Sequence, residues 1–207
     1  MHELKLSYFD FHGGRGEVAR LAMSLGNIDF EDHRIPLKEW PSAKASTPLG
    51  AVPVLEVDGE AITQSNGINR FVGKLSKLYP NEPLDALRCD EVMGAVEDVL
   101  VRIVPTFFIQ DEDEKKQARQ KLVEGPISRY LAWLEDLLRR RGNRYFVAGR
   151  LTVADLKVFV WIRSLRKGTL DYVAADLVDH CAPNLVAHSQ RIEGDPAVKA
   201  YYEARSA

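Results

Sequence analysis

The chain has 207 residues, 45% of them hydrophobic, enough to bury one ordinary core or two small ones without staples. A formal net charge of -2 and a pI near 6.2 give no global attraction to nucleic acid or an anionic membrane surface, so neither is expected as a partner. No apolar run approaches the roughly 20 residues of a membrane span, Met1-His2-Glu3-Leu4-Lys5 lacks a signal-peptide succession, Cys89 and Cys181 form no CxxC, and the five histidines form no HExxH, so the expectation is a cytoplasmic protein without a metal site whose cysteines are buried hydrophobes.

In chain order, Leu4, Leu6 and Tyr8 alternate on one face of a strand over 3–8. His12-Gly13-Gly14 then turns into a helix that carries Val18, Leu21, Ala22 and Leu25 on one stripe and stops at Gly26-Asn27. The phenol of Tyr8 therefore lies at a strand-to-helix junction, where helix N-terminal amides gather and an anion can be steadied. A weaker strand follows over 30–35, then a short helix or irregular turn over 38–45. Residues 54–57 pair with 61–63 through the Asp58-Gly59 hairpin signal. Gln64-Ser65 opens a helix with Ile68, Phe71, Val72 and Leu75 on one side, and Tyr79-Pro80 ends it.

Beyond this point the grammar changes from alternating strands and helices to helices alone, which marks a domain boundary. The prolines of Tyr79-Pro80-Asn81-Glu82-Pro83 stiffen the connector. The expected division is an α/β domain over 1–80, a linker over 81–84 and an all-α domain over 85–207. A long helix from about Asp85 carries Val92, Val96, Val99, Leu100 and Ile103, with Pro105 expected to bend it. The run Asp111-Glu112-Asp113-Glu114-Lys115-Lys116 separates it from a second long helix with Tyr130, Leu131, Leu134, Leu137 and Leu138 on its apolar side, ending in Arg139-Arg140-Arg141-Gly142, cations that suit the negative end of the helix dipole. Thr152 and Asp155 form a capping box, with Leu151 and Leu156 as its staple, for a helix ending near Lys167-Gly168. Asp195-Pro196 opens the last helix.

Taken in order and spacing, Tyr8-Phe9, Arg15 to Arg20, Trp40 with Lys44, Val52-Pro53-Val54-Leu55, Gln64-Ser65 and the capping box at Thr152 and Asp155 resemble the cytosolic glutathione transferases, and within them the sigma class, over essentially the whole chain. The resemblance implies a thioredoxin-like N-terminal domain of order βαβαββα, an all-helical C-terminal domain, a homodimer, glutathione as co-substrate with no other cofactor, and apolar electrophilic small molecules as second substrates. It also implies that Tyr8 holds the glutathione thiolate. Free thiols titrate near pH 8.5, so a predominant thiolate at neutral pH needs a shift of about two units, roughly 2.7 kcal/mol. A hydrogen bond to a charged group contributes about 1.5–3 kcal/mol. One phenol, donating to sulfur while staying un-ionised, is therefore sufficient.

The remaining site residues follow from the same resemblance. A cis Val52-Pro53 bond would turn the Val52 backbone outward to pair with the tripeptide, Gln64 and Ser65 would hold a carboxylate at a helix start, and Trp40 and Lys44 would hold the glycine end. Asp98 would reach across the dimer to the γ-glutamyl amine. Phe9, Phe11, Arg15, Arg102, Pro105, Thr106 and Phe108 would line the second-substrate pocket. Peroxidase or prostaglandin-type isomerase activity accompanies the sigma likeness, and a non-catalytic ligand-binding or structural protein of the same fold is the alternative. One departure stands out: His12-Gly13-Gly14 intervenes where the family places Arg-Gly soon after Tyr-Phe. Arg15, displaced by one residue, can polarise the thiolate or a substrate, or serve a carboxylate structurally. Leu49 replaces the aromatic key that some classes present to a neighbouring subunit. Gly13-Gly14-Arg15-Gly16 as an RNA-binding segment, Arg139 to Arg141 as an anion site and Asp111 to Glu114 as a calcium site are each read as a turn, a helix end and a solvated face.

Overall fold

The computed structural model describes residues 2–204. These fall into two compact units, one running to Pro80 and regaining the chain from Pro196, the other spanning Asn81–Asp195. The last helix thus belongs with the first unit, not with the helical domain in which the sequence reading placed all of 85–207.

The first unit is built on a four-stranded sheet of β1 (Leu4–Phe9), β2 (Glu31–Ile35), β3 (Val54–Val57) and β4 (Glu60–Ile62), in the order β2-β1-β3-β4. β1 runs parallel to β2, with Tyr8 opposite Arg34, and antiparallel to β3, with Leu6 opposite Leu55. This is the thioredoxin-like arrangement. Leu4, Leu6 and Tyr8 are all buried, as their alternation requires. α1 (Gly14–Leu25) packs with α3 (Ser65–Leu75), and the stretch between β2 and β3 holds the short α2 (Trp40–Ala43) among single turns of tighter helix.

The second unit is helical: α4 (Pro83–Ile103), α5 (Glu112–Leu122), α6 (Ser128–Arg140), α7 (Val153–Arg166), α8 (Leu177–Cys181) and α9 (Pro183–Glu193). α4 begins two residues before the expected Asp85, because Pro83 occupies its first turn, where a missing N–H costs nothing, and the Glu82 carboxylate accepts from the Asp85 amide at 2.8 Å. It gives way to a tight turn over Val104–Phe108 at Pro105. α5 and α6 are joined through one wide turn, Val123–Ile127, that contains Pro126, a residue with no N–H to give to a regular ladder.

The sequence pattern misses α5, α8 and α9. Asp111 is not part of a separator but the cap of α5, accepting from the Glu114 amide at 2.8 Å, and α5 is almost wholly polar, with Ala118 and Leu122 its apolar side chains and Arg119 its buried residue. In α9 the buried stripe is Leu185, His188, Ser189 and Ile192, so half of it is written in polar residues that periodicity reads as exposed. α10 (Pro196–Glu203) packs on α1, with Val198 buried. Cys89 is buried as expected, but Cys181, on the short α8, is exposed.

Candidate active site

Tyr8 sits near the end of β1, its side chain buried against the start of α1. The Arg15 amide donates to its phenolic oxygen at 2.9 Å. Burial pushes the phenol pKa up, and this outweighs the opposing pull of the Arg15 and Gly16 amides and of the Arg15 and Arg20 charges. The phenol therefore keeps its proton at neutral pH, and with the amide occupying a lone pair, the O–H is left to donate. The close approach of helix to phenol depends on two glycines: a Cβ at Gly14 would stand 2.3 Å from the Tyr8 hydroxyl, and one at Gly16 2.3 Å from its ring. Neither glycine was singled out from the sequence for this role, because the requirement appears only when α1 is laid on β1.

Tyr8, Phe9, Phe11 and Trp40 form one aromatic cluster. Ring centroids lie 5.2 Å apart for Tyr8 and Phe9, 5.8 Å for Tyr8 and Phe11, and 5.1 Å for Phe9 and Trp40, the last edge-on. Trp40 and Lys44 lie one helical turn apart, the Lys44 amide donating to the Trp40 carbonyl as α2 closes. Lys44 is exposed, with its side chain alongside Gly50. Leu49, beside it, is 79% exposed with φ of 59°.

The Val52-Pro53 bond is cis, and Pro53 is buried at the head of β3. Gln64 caps α3 with φ of 75°, a left-handed conformation that a side-chain-bearing residue seldom adopts and that functional sites often hold. Ser65 follows, buried, at the helix's first position, where amides point out of the helix end.

Residues called from the second unit are placed differently. Asp98, exposed on α4, accepts from the Tyr130 hydroxyl at 2.9 Å in a cleft of about 510 Å³ between α4 and α6 that Trp133 also lines. Arg102 is exposed, and its guanidinium donates to the Asp98 carbonyl. Pro105 and Phe108 are exposed in the turn after α4. Thr106 is buried, and its hydroxyl is spent on the Ile103 carbonyl at 2.6 Å.

Sequence reasoning also missed the polar framework behind Tyr8. Arg20 is fully buried; it donates to the Phe9 carbonyl at 3.2 Å, the Phe11 carbonyl at 3.3 Å and Asp32 at 2.9 Å, and its guanidinium carbon lies 5.5 Å from the Tyr8 ring centre. Periodicity gave no signal for it, because Arg20 lies opposite the Val18, Leu21, Ala22 and Leu25 stripe, while in the fold α1 is buried on every face from Gly16 to Met23 and a cation so enclosed must find several acceptors. Among the described residues, no three His, Cys, Asp or Glu side chains gather as metal ligands, and no helix is long and apolar enough to cross a membrane.

The glutathione S-transferase N-terminal domain family matches residues 4–74, and the glutathione S-transferase C-terminal domain family matches 97–205. The chain belongs to the glutathione S-transferase family. Among its relatives, glutathione S-transferase 1 of Ascaris suum is 31% identical over 86% of this chain and 87% of its own length. The hematopoietic prostaglandin D synthase of Gallus gallus is 32% identical over 99% of this chain and 98% of its own. Among solved structures, a prostaglandin synthase D of Nilaparvata lugens superposes with a TM-score of 0.87 at 30% identity, over 98% of both chains. The sigma-like likeness of the transferase and its two-domain fold agree with these relatives.

Proposed function

We propose that this glutathione S-transferase uses Tyr8 to hold the glutathione thiolate, and that the sulfur then attacks an electrophilic carbon of an apolar substrate. A carbon–sulfur bond forms as a leaving group departs with its electron pair, or as an activated double bond takes up a proton. The observation that carries this reading is the buried, un-ionised Tyr8 phenol, with its oxygen against the Arg15 amide and its proton left to give. The enzyme supplies no covalent intermediate of its own; it stabilises the charge on sulfur before attack.

In this reading Trp40, Lys44, the Val52 backbone at Pro53, Gln64 and Ser65 bind the tripeptide, and Phe9, Phe11 and Arg15 border the electrophile with Arg102, Pro105, Thr106 and Phe108. Asp98 completes the glutathione site of a second subunit in a cytoplasmic homodimer, which gel filtration of wild type and Asp98→Ala tests, together with the glutathione KM. The likeness to prostaglandin D synthases favours a second activity, glutathione-dependent isomerisation of a lipid endoperoxide, read out by product analysis with such a substrate.

Ultraviolet titration of bound glutathione tests the central step. The wild type should show thiolate absorption at neutral pH. Tyr8→Phe should move the thiol back toward about 8.5 and lower kcat/KM for a generic aromatic electrophile roughly 10- to 150-fold, the equivalent of one hydrogen bond to a charged group. Equal activity and equal titration in the two proteins would refute the role of Tyr8.

A further inference from the structure

The segment between β1 and α1 is where the Tyr8 oxygen gets its partners, the amides of Arg15 and Gly16. Gly13 and Gly14 follow one another with φ of 127° and 68°, the two most permissive residues possible at a helix start. α1 has no side-chain cap there. Left to itself, such a start frays, and the amides that face Tyr8 lose their direction.

Two ties oppose this. Arg20 holds the backbone up to Phe11 through its carbonyl contacts. The next residue, His12, is bonded through Nδ1 to Glu17 Oε1 at 3.0 Å. That bond joins residue i to i+5, and the residues it brackets are the two glycines, Arg15 and Gly16. The amide pair acting on Tyr8 lies inside the bracket. The Glu17 side chain is wholly buried, so its hydrogen bond to the imidazole is worth more than a surface pair. On its other contacts the imidazole meets the rings of the last helix edge-on, Tyr202 at 5.0 Å and Tyr201 at 6.0 Å between centroids.

We propose that His12 is a positioning residue for thiolate formation: by tying the glycine-rich turn to Glu17 and to the aromatic rings of α10, it fixes the α1 amides against the Tyr8 oxygen. His12 touches no substrate in this scheme, and it acts through Tyr8. The inference rests on the Tyr8 reading above. α10, which packs on α1 through Val198, thereby also meets the far side of the turn that orients the phenol.

The test uses the full chain with bound glutathione. Its readouts are the thiol titration, kcat and KM, with urea unfolding as a separate measure of stability. His12→Ala should raise the pKa of the bound thiol by about one unit, so that kcat near pH 6.5 falls up to tenfold while the glutathione KM changes less than about twofold. His12→Asn, whose amide nitrogen stands where Nδ1 stood, should restore most of both. A purely structural histidine would lower the urea midpoint and leave the titration in place, and that result would overturn the proposal. Should His12→Ala fail to fold, Tyr202→Leu, which releases the imidazole from the other side, carries the test: its titration must move in the same direction, and an unmoved one overturns the inference. If Tyr8→Phe moves the titration and the His12 and Tyr202 variants do not, His12 positioning falls while Tyr8 stands. If Tyr8→Phe moves nothing, both fall.

Discussion

Each of the two units buries one carboxylate completely in the first turn of a helix, Glu17 in α1 and Asp155 in α7, and the two are partnered very differently. Asp155 has four donors: the Phe146 amide at 2.8 Å and His188 at 3.0 Å on one oxygen, and the Thr152 amide at 2.8 Å and hydroxyl at 2.7 Å on the other. Glu17 has His12 on one oxygen, while the other is 3.7 Å from Arg20 and makes no hydrogen bond; the Tyr201 hydroxyl nearby is also buried without one. Burial, reinforced by the Glu17 charge, pushes the Tyr201 phenol pKa up. A saturated hub fixes a fold, since every donor it holds would otherwise be orphaned. The Glu17 hub beside Tyr8 leans on one side-chain hydrogen bond, that of His12, so the order of the turn it holds depends on that single contact.

The sharpest way to break this contrast is to remove both carboxylates in turn. Asp155→Ala strands four donors and the α7 cap, and should cost about 3–5 kcal/mol in urea unfolding, enough to endanger folding at 37 °C. Glu17→Gln, which keeps an acceptor for His12, should cost clearly less. Equal losses would erase the distinction drawn between the hubs.

Next in size is Gly16→Ala. Its Cβ would stand 2.3 Å from the Tyr8 ring, and overpacking there should cost about 1–3 kcal/mol while displacing the phenol, so activity should fall even in the folded fraction. An active, fully stable Gly16→Ala protein would show that α1 need not approach Tyr8 so closely.

A smaller effect is expected from Lys44→Ala. The side chain is exposed, so the loss should be about 0.2–1 kcal/mol, seen as a glutathione KM raised up to about fivefold with kcat unchanged and a weaker salt dependence.

The last effect is confined to alkaline pH and concerns Cys89, whose thiol burial pushes up to about 12. Its folded pKa lies above the unfolded value near 8.5, so the stability tied to the neutral thiol is complete below about 8.5 and is lost as pH rises toward 12. Cys89→Ala should flatten the decline in urea midpoint between pH 8 and 10. An unchanged slope would mean that other groups dominate the alkaline limb.

Much of this molecule was legible in its residues. Alternation at Leu4, Leu6 and Tyr8, the Asp58-Gly59 turn, the Thr152–Asp155 capping box and the Leu131–Leu138 stripe are local signals, carried by neighbours in sequence, and the structure keeps all of them. α5 was not legible because Ala118 and Leu122 are too few apolar positions to set a period, and α9 was hidden because His188 and Ser189 occupy core positions. Of the residues proposed to hold glutathione, Tyr8, Trp40, Lys44, Pro53 and Gln64-Ser65 were named from their resemblance to the family. Arg20, Glu17 and His12 could not, since their importance lies in contacts between a loop, a helix face and the far end of the chain.

The sequence by itself determined the strands and helices of the first unit, the long helices α4, α6 and α7 and the change from α/β to all-α grammar near Pro80, because propensity, periodicity and turn formation act over a few residues. Tertiary structure alone decided that α10 returns to the first unit, that Gly14 and Gly16 leave room for a phenol, and that Asp155 is saturated while Glu17 is not. Those outcomes depend on which surfaces meet in space, and close packing makes an ångström at such a meeting decisive where local pattern is silent.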